Sequence, residues 1–275
     1  MRLKSTVKNI VLLLGFVLCL SQQNVFAQTK KPMNLMNYDF EDYHFGFILA
    51  YNQMSYSFKY VENYQLIPHS ASEYPNSSDS FYNAGATYYT RSVESPAKPG
   101  FTVGVVGNLR IGQFFDLRLI PSLSFGTRTI IYQLYRDSSA VPSILATKEK
   151  SILSTFIEFP LQVKYRSKRL NNVAAYVIGG TNFKFDLASQ KKSQIDVMNE
   201  QGEQITVIDN IRVKKFDIAA EIGAGFDFYN SYFKFGIEFK LSYGLLNVLD
   251  KQNLIYDSSI QNMKNRTFQV SLTFE

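Results

Sequence analysis

The sequence predicts an all-β fold: an eight-stranded antiparallel up-and-down transmembrane β-barrel, with short periplasmic turns and long extracellular loops. Three observations predict it. Beyond residue 27, segments of about ten to seventeen residues alternate apolar and polar side chains, as β-strands with two different faces do. Short and long connections between these segments also alternate, which is typical of bacterial outer-membrane barrels. The polar faces are rich in Gly, Ala and Ser, which fit the narrow interior of an eight-stranded barrel.

Residues 1–27 are predicted to be a cleaved signal peptide. Basic residues precede an apolar run at 10–20, and Ala27 completes a cleavage site of small residues. An uncleaved anchor helix would need a longer apolar run, and lipidation at Cys19 would need a small residue before it. Cleavage removes the single cysteine of the chain, which excludes disulfides and thiolate chemistry. It also removes three bases and no acids, so the net charge falls from +6 to +3, too little for a nucleic-acid footprint.

The mature chain is predicted to have two parts. Residues 28–43 form a periplasmic N-terminal segment, and residues 44–275 form the barrel. The strands are predicted at 44–58, 101–111, 115–131, 153–165, 173–187, 216–228, 233–245 and 266–275. Long loops are predicted at 59–99, 132–151, 188–215 and 247–265, and short turns near 112–113, 167–172 and 229–231. The first strand alternates less cleanly than the others, so the sequence leaves its register open.

A soluble eight-stranded barrel of the lipocalin type is the main alternative. In such a barrel the apolar face points inward, and the face in water accepts large charged side chains everywhere. Here the apolar faces of strands two to eight are predicted to carry no Lys, Arg, Asp or Glu. A basic residue at the bilayer midplane would cost about 2–4 kcal/mol, so this pattern favours a membrane barrel. The aromatic Phe274 near the chain end also resembles the terminal strand of bacterial outer-membrane barrels.

The polar faces would then line the lumen with seven acids and six bases, which is close to balance. Nine of these form the predicted lumen charge network: Asp116, Arg118, Arg128, Glu158, Lys184, Glu221, Lys234, Glu238 and Lys240. Buried charges must be paired and hydrogen-bonded, so the network predicts a salt-bridged plug that closes the lumen. A proton or ion path through Glu158, Glu221 and Glu238 is the alternative. In either case the bore is too narrow for a folded protein.

The sequence indicates no enzyme and no cofactor. Its two histidines are His44, at the start of the first strand, and His69, in the first long loop. Ser70 and Ser72 lie close to His69, but adjacency in sequence is not the geometry of a catalytic triad. The sequence contains no metal-ligand cluster, phosphate loop or dinucleotide fingerprint. We therefore expect no catalytic, metal-binding or cofactor-binding residues.

Three further stretches suggest contact surfaces. The loop 59–99 is rich in Tyr, which suits protein contacts, although tyrosines also rest in the membrane interface. Residues 37–42 are acidic and aromatic, and they either dock a partner or form a tail. The basic run 164–169 is predicted to be a turn that faces solvent.

Several segments carry a family resemblance that covers nearly the whole mature chain. They are PGFTVGVVGNLRIGQFFDLRLIPSLSFGTRTIIY at 99–132, FIEFPLQVKYRSKRLNN at 156–172, VIGGTNFKFDL at 177–187 and HFGF at 44–47. In these segments the chain resembles PorT-type proteins of Bacteroidetes. That family belongs to the type IX secretion machinery, which is also tied to gliding motility and moves cargo with a C-terminal targeting domain across the outer membrane.

The resemblance implies a non-enzymatic component needed for translocon assembly or for export of that cargo, and not the cargo pore itself. It implies outer-membrane lipid and other type IX secretion components as partners, with no nucleic acid and no small-molecule substrate. It transfers no functional residues. The alternatives are a closed surface barrel with an adhesion or envelope-integrity role, and a small-solute channel.

Overall fold

A computed structural model describes residues 32–70, 81, 86–137, 144–188, 194–198, 204–208, 211–251 and 255–275. Asn34–Glu275 form one compact unit. The predicted signal peptide at 1–27 lies outside the described residues. Within the described ranges, no helix is long and apolar enough to cross a membrane.

The described chain is built almost entirely of strands. They are β1 (Tyr43–Tyr60), β2 (His69–Ser70), β3 (Thr87–Glu94), β4 (Lys98–Arg110), β5 (Phe115–Leu119), β6 (Ser122–Asp137), β7 (Ile144–Arg166), β8 (Val173–Asp186), β9 (Gln194–Met198), β10 (Gln204–Ile208), β11 (Phe216–Tyr229), β12 (Lys234–Gly244) and β13 (Ile260–Phe274). A one-turn helix, α1 (Ile255–Ser258), precedes β13, and short 3-10 turns lie at Tyr38–Phe40 and Tyr64–Leu66.

The strands close into an antiparallel barrel. The ring runs β1, β4, β5 with β6, β7, β8, β11, β12 and β13, and β1 closes it because it pairs with both β4 and β13. β5 and β6 together form one barrel strand, because both pair with β4 on one side and β7 on the other without a change of register. The break between them lies at Pro121, which has no backbone N–H to donate. The predicted eight-stranded up-and-down barrel is therefore confirmed.

The predicted long loops contain more strand than expected. β6 and β7 continue as a paired hairpin through most of the loop predicted at 132–151. β13 begins inside the loop predicted at 247–265. The loop predicted at 59–99 contains β3, which pairs with the upper part of β6, and the loop predicted at 188–215 contains the hairpin β9–β10. Alternation misses the upper part of β6 because apolar residues lie on both of its faces there.

The barrel wall is apolar outside and polar inside, the reverse of a soluble barrel. On β1, Phe45, Phe47, Leu49 and Tyr51 point outward and are 47–75% exposed, whereas Asn52 points inward and is fully buried. This assigns the odd-numbered residues of β1 to the outer face and fixes the register that the sequence left open. An exposed apolar band around a polar interior is the arrangement of a barrel in a lipid bilayer.

One charge breaks the predicted rule for the apolar faces. Alternation along β13 places Arg266 on the same outer face as Phe268 and Leu272, and it is exposed. The prediction that strands two to eight carry no charge on this face is wrong at Arg266. The residue lies at the extracellular end of the apolar band, where a cation costs about 0–1 kcal/mol rather than the larger midplane penalty.

Candidate functional site

The charged interior of the barrel is the candidate site. All nine residues of the predicted lumen charge network are buried there: Asp116, Arg118, Arg128, Glu158, Lys184, Glu221, Lys234, Glu238 and Lys240. They occupy inward positions on β5, β6, β7, β8, β11 and β12. The other four charged residues of the predicted lumen face, Lys164, Asp186, Asp217 and Asp227, are buried with them.

A buried ion pair crosses the middle of the lumen. Arg118 Nη1 donates a hydrogen bond to Glu238 Oε2 at 2.7 Å, and the hydroxyl of Tyr176 donates to the same oxygen at 3.1 Å. Both charged side chains are fully buried. The two charges compensate each other. Either charge alone, buried in this environment, would strongly destabilise the barrel.

The two other glutamates of the alternative proton path share one amide. Asn182 Nδ2 donates to Glu158 Oε2 at 3.0 Å and to Glu221 Oε1 at 2.9 Å. Each carboxylate also has a base: Lys184 Nζ lies 3.5 Å from Glu158, and Lys240 Nζ lies 3.3 Å from Glu221. With Glu238 paired as well, all three glutamates have a cationic partner, which is the arrangement expected of a plug. Proton movement through them stays a prediction.

Arg128 closes the upper end of the charged interior. Its guanidinium pairs with Asp186 and donates to Ser154 Oγ and Asn265 Oδ1, both at 2.6 Å. The same guanidinium lies 4.9 Å from the centre of the Tyr56 ring. Arg128 therefore contacts both the polar lumen on its periplasmic side and the aromatic ring of Tyr56 on its extracellular side.

The lower end of the lumen contains an acid that sequence analysis missed. Lys234 Nζ donates to Glu275 Oε2 at 2.8 Å and lies 3.9 Å from Asp227, which also accepts a hydrogen bond from Lys164 Nζ at 2.6 Å. Alternation along β13 does place Glu275 on the inward face, so the pattern could have found it. These charges lie at the end with the short turns, which is the periplasmic end in bacterial barrels.

A segment before β1 covers this periplasmic end. We call residues 34–42 the mouth segment. The Asp39 carboxylate accepts hydrogen bonds from Arg166 at 2.7 Å and from Arg169 at 3.2 Å. Arg169 also donates to the backbone carbonyl of Asn34 at 2.6 Å. The mouth segment is thus tied to the turn between β7 and β8.

Tyr38 is the deepest contact of the mouth segment. Its hydroxyl donates to Glu275 Oε2 at 2.9 Å, its ring stacks on His44 with the centroids 3.6 Å apart, and Lys234 Nζ lies 4.8 Å from the ring centre. Burial raises the pKa of Tyr38 well above its usual range, although Lys234 opposes the shift. The hydroxyl therefore stays neutral and remains a hydrogen-bond donor.

The structure contradicts one prediction about this end and excludes one of the two alternatives for another stretch. The basic run 164–169 is not simply a solvent-facing turn, because β7 continues to Arg166 and points Lys164 and Arg166 inward. Arg169 lies three residues further, in the connection between β7 and β8. It is also covered, with a side chain only 5% exposed. Residues 37–42 are not a free tail, because they pack on the barrel's own periplasmic end.

The extracellular end is closed by a second core, which we call the cap. It is apolar and is built from the upper parts of β3, β6, β7 and β13 with the segments beside them. Its buried residues are Tyr56, Phe81, Ala86, Tyr88, Val93, Ile130, Tyr132, Leu134, Ile152, Ile211, Val213, Val248, Leu249, Tyr256, Ile260 and Met263. The cap covers the lumen opposite the mouth segment.

The cap explains part of the tyrosine content of the first long loop. Tyr88 is fully buried in the cap, and Tyr60 stacks on Tyr64 with centroids 5.2 Å apart. These tyrosines therefore pack within the chain, whereas Tyr74 and Tyr82 lie outside the described residues.

The structure separates the two histidines that were considered for catalysis. His44 lies at the periplasmic end, and His69 lies in the cap with Nε2 3.0 Å from Ser258 Oγ. A serine–histidine contact alone does not define a triad, which also needs an orienting carboxylate and oxyanion donors. In the part of the chain that the structure describes, no group of three or more His, Cys, Asp or Glu side chains is arranged to hold a metal ion.

An apolar outer wall, a polar interior and alternating short and long connections define a transmembrane β-barrel of the outer membrane. Residues 26–250 match the family described as "Outer membrane protein beta-barrel domain". The chain belongs to this family, and it is a protein of the outer membrane.

Solved outer-membrane barrels are similar in structure but distant in sequence. Neisserial surface protein A is 10% identical with a TM-score of 0.36, and the match covers 85% of this chain and 98% of that one. OprG from Pseudomonas aeruginosa is 10% identical with a TM-score of 0.37, covering 85% and 94%. Ail, the attachment invasion locus protein of Yersinia pestis, is 11% identical with a TM-score of 0.30, covering 85% and 98%. No curated protein matches the chain.

Proposed function

We propose that this protein is a non-enzymatic accessory component of the type IX secretion machinery, and that it acts through its two ends rather than through its lumen. The observation that carries the proposal is the filled interior. Paired charges occupy the lumen, the mouth segment covers one end, and the cap covers the other. Cargo must therefore cross the membrane elsewhere. The assignment to type IX secretion rests on the resemblance of segments 44–47, 99–132, 156–172 and 177–187 to PorT-type proteins.

The mouth segment is the surface on which a periplasmic partner would act. Its inner side is fixed by Tyr38 and Asp39, while Met36 and Phe40 on its outer side are 68% and 84% exposed. Apolar side chains presented on an anchored segment are suited to protein contact. Other type IX secretion components are the partners expected there.

Deletion of the gene tests the secretion role. We expect proteins with the type IX C-terminal targeting domain to accumulate in the periplasm and to disappear from the cell surface. A plasmid copy of the wild type should restore export. A copy with Met36→Ser and Phe40→Ser should restore it poorly, although it reaches the outer membrane at normal levels.

A matched control variant, Leu170→Ser, removes an apolar side chain that is also exposed at the periplasmic end, at 68%. It should restore export fully. If cargo export is normal in the deletion strain, the type IX proposal is wrong.

The cap favours one other function, a closed surface barrel with an adhesion role. The hairpin β6–β7 and the strand β3 extend the barrel beyond the apolar band and enclose the cap core. An ordered extracellular structure of this kind offers a fixed binding surface. Comparing the attachment of wild-type and deletion cells to host surfaces, in a strain with intact secretion, tests this alternative.

A further inference from the structure

Three basic side chains lie outside the barrel on two neighbouring strands, and we call them the basic strip: Lys59 on β1, with Lys264 and Arg266 on β13. In the pairing of these strands, Arg266 is opposite Ser55 and Lys264 is opposite Ser57. According to the alternation along β1 and β13, these three basic residues and the two serines all point outward. Lys59 and Arg266 are exposed and Lys264 is half-buried.

The basic strip begins where the apolar band ends. On β13 the outward residue below Arg266 is Phe268, and the outward residues above it are Lys264 and then Asn262. On β1 the last large apolar outward residue is Tyr51, four positions before Ser55. From Arg266 to the level of Lys59, which is opposite Asn262, the strip rises by four residues, or about 13 Å. Lysine side chains are long and flexible enough to bring the upper charges toward the same headgroup layer. The strip lies at the end with the long loops, and it therefore faces the outer leaflet.

No acidic side chain of the described residues compensates the charges of the basic strip. Among the residues that the structure describes, none of the three has an ion-pair partner, and the cross-strand neighbours Ser55, Ser57 and Asn262 are neutral. Lys264 Nζ lies 5.6 Å from the centre of the Tyr243 ring. Most charges inside the same barrel lie against an opposite charge, whereas these three neighbouring cations have no acidic partner among the described residues. They therefore point to an anionic ligand supplied by the surroundings.

We propose that the basic strip binds the phosphate groups of a phosphorylated glycolipid of the outer leaflet, of the lipid A class. Arginine and lysine side chains recognise phosphate through charge-assisted hydrogen bonds, and Arg266 can bind two phosphate oxygens at once. The apolar residues directly below, Phe268 and Leu241, are 37% and 52% exposed and would contact the acyl chains of the same lipid. This continuous apolar surface favours a lipid over a free anion.

Native mass spectrometry of the full mature chain in detergent, titrated with bisphosphorylated lipid A, tests the proposal. The test variant is the triple substitution Lys59→Gln, Lys264→Gln and Arg266→Gln. Each basic side chain near an anionic lipid surface contributes favourably to the binding free energy. We therefore expect the affinity for lipid A to fall about tenfold or more when all three are removed. A matched control removes three exposed lysines elsewhere, Lys168→Gln, Lys214→Gln and Lys215→Gln, and should change the affinity by less than about twofold.

Two additional titrations identify the source of the phosphate. Lipid A without phosphate groups should bind the wild type as weakly as bisphosphorylated lipid A binds the triple variant. Millimolar inorganic phosphate should not displace the bound lipid. Equal binding of the triple variant and the wild type overturns the proposal, and so does equal binding of the two lipids. Displacement by inorganic phosphate would mean a free-anion site and would also overturn it. Heat-dependent gel mobility confirms that each variant is folded.

Discussion

At the level of single residues, this barrel treats charge in two ways. Inside, most acids and bases lie against an opposite charge and are shielded from water, as for Arg118 and Glu238 at 2.7 Å. Asp116 and Asp217 are buried without an ion-pair partner among the described residues, and Asp217 accepts a hydrogen bond from the Asn265 amide instead. Outside, Arg266 is exposed at the membrane boundary. The difference follows from solvation, since a cation in the headgroup layer keeps water and anions nearby, whereas a charge in the lumen has only protein partners.

The pair of Arg118 and Glu238 yields a direct prediction. Arg118→Met leaves a buried, uncompensated carboxylate and should lower the free energy of unfolding by about 3–5 kcal/mol. The double variant Arg118→Met with Glu238→Met removes both charges and should be clearly more stable than the single variant. Urea unfolding in lipid vesicles measures both. A single variant as stable as the wild type would mean that the pair does not fill a dry lumen.

The sequence predicts which charged residues point into the lumen, but it does not predict which of them pair. Alternation predicts which charges point inward, because inward and outward positions differ in chemistry at every second residue. It does not predict partners, because Arg118 and Glu238 are 120 residues apart and meet across the lumen. The run 164–169 is predicted to be a solvent-facing turn because its basic charge is typical of one. The prediction is wrong because the mouth segment, which the sequence does not reveal, covers this run.

At the level of elements, the depth of an outward-facing residue in the membrane decides which substitutions it tolerates. Leu241 and Leu245 lie on the same outward face, at 52% and 49% exposure, but Leu245 lies just beyond the end of β12. Leu241→Arg lies deeper in the apolar band and should cost more than Leu245→Arg, for which we expect about 0–1 kcal/mol. Urea unfolding in vesicles compares the two. Equal penalties would contradict the assigned membrane boundary.

The mouth segment is the element with the clearest mechanical role. Asp39→Ala removes the acceptor of both Arg166 and Arg169 and should loosen the segment. A reporter cysteine at Asn108, which is 5% exposed and hydrogen-bonds Glu275 at 3.4 Å, should then react severalfold faster with a water-soluble thiol reagent. Asp42→Ala, at an exposed residue of the same segment, is the control and should leave the labelling rate unchanged. Unchanged labelling in Asp39→Ala would show that the segment does not guard the lumen.

At the level of the whole molecule, the barrel itself could be predicted from sequence and its two closures could not. The barrel follows from period-two alternation, which the lipid imposes on every membrane-crossing strand. The cap and the mouth segment lie outside the lipid, where packing is specific and leaves no simple period. Tyr38 and Tyr88 illustrate this: one anchors the mouth segment and the other is buried in the cap, yet neither stands in an alternating run that marks it.

These closures make a prediction about conductance that separates the proposed accessory role from a small-solute channel. Purified wild-type protein in planar bilayers should give no resolved single-channel steps, because paired side chains fill the lumen between the cap and the mouth segment. A variant that combines Asp39→Ala with Arg118→Ser and Glu238→Ser loses the mouth closure and a central pair but keeps Arg128 and the cap, so it should also give no resolved steps. Heat-dependent gel mobility of the reconstituted protein confirms that both forms are folded. Steps from the wild type would show that ions find a path past Arg118 and Glu238, and the small-solute channel would then be the better account of this protein.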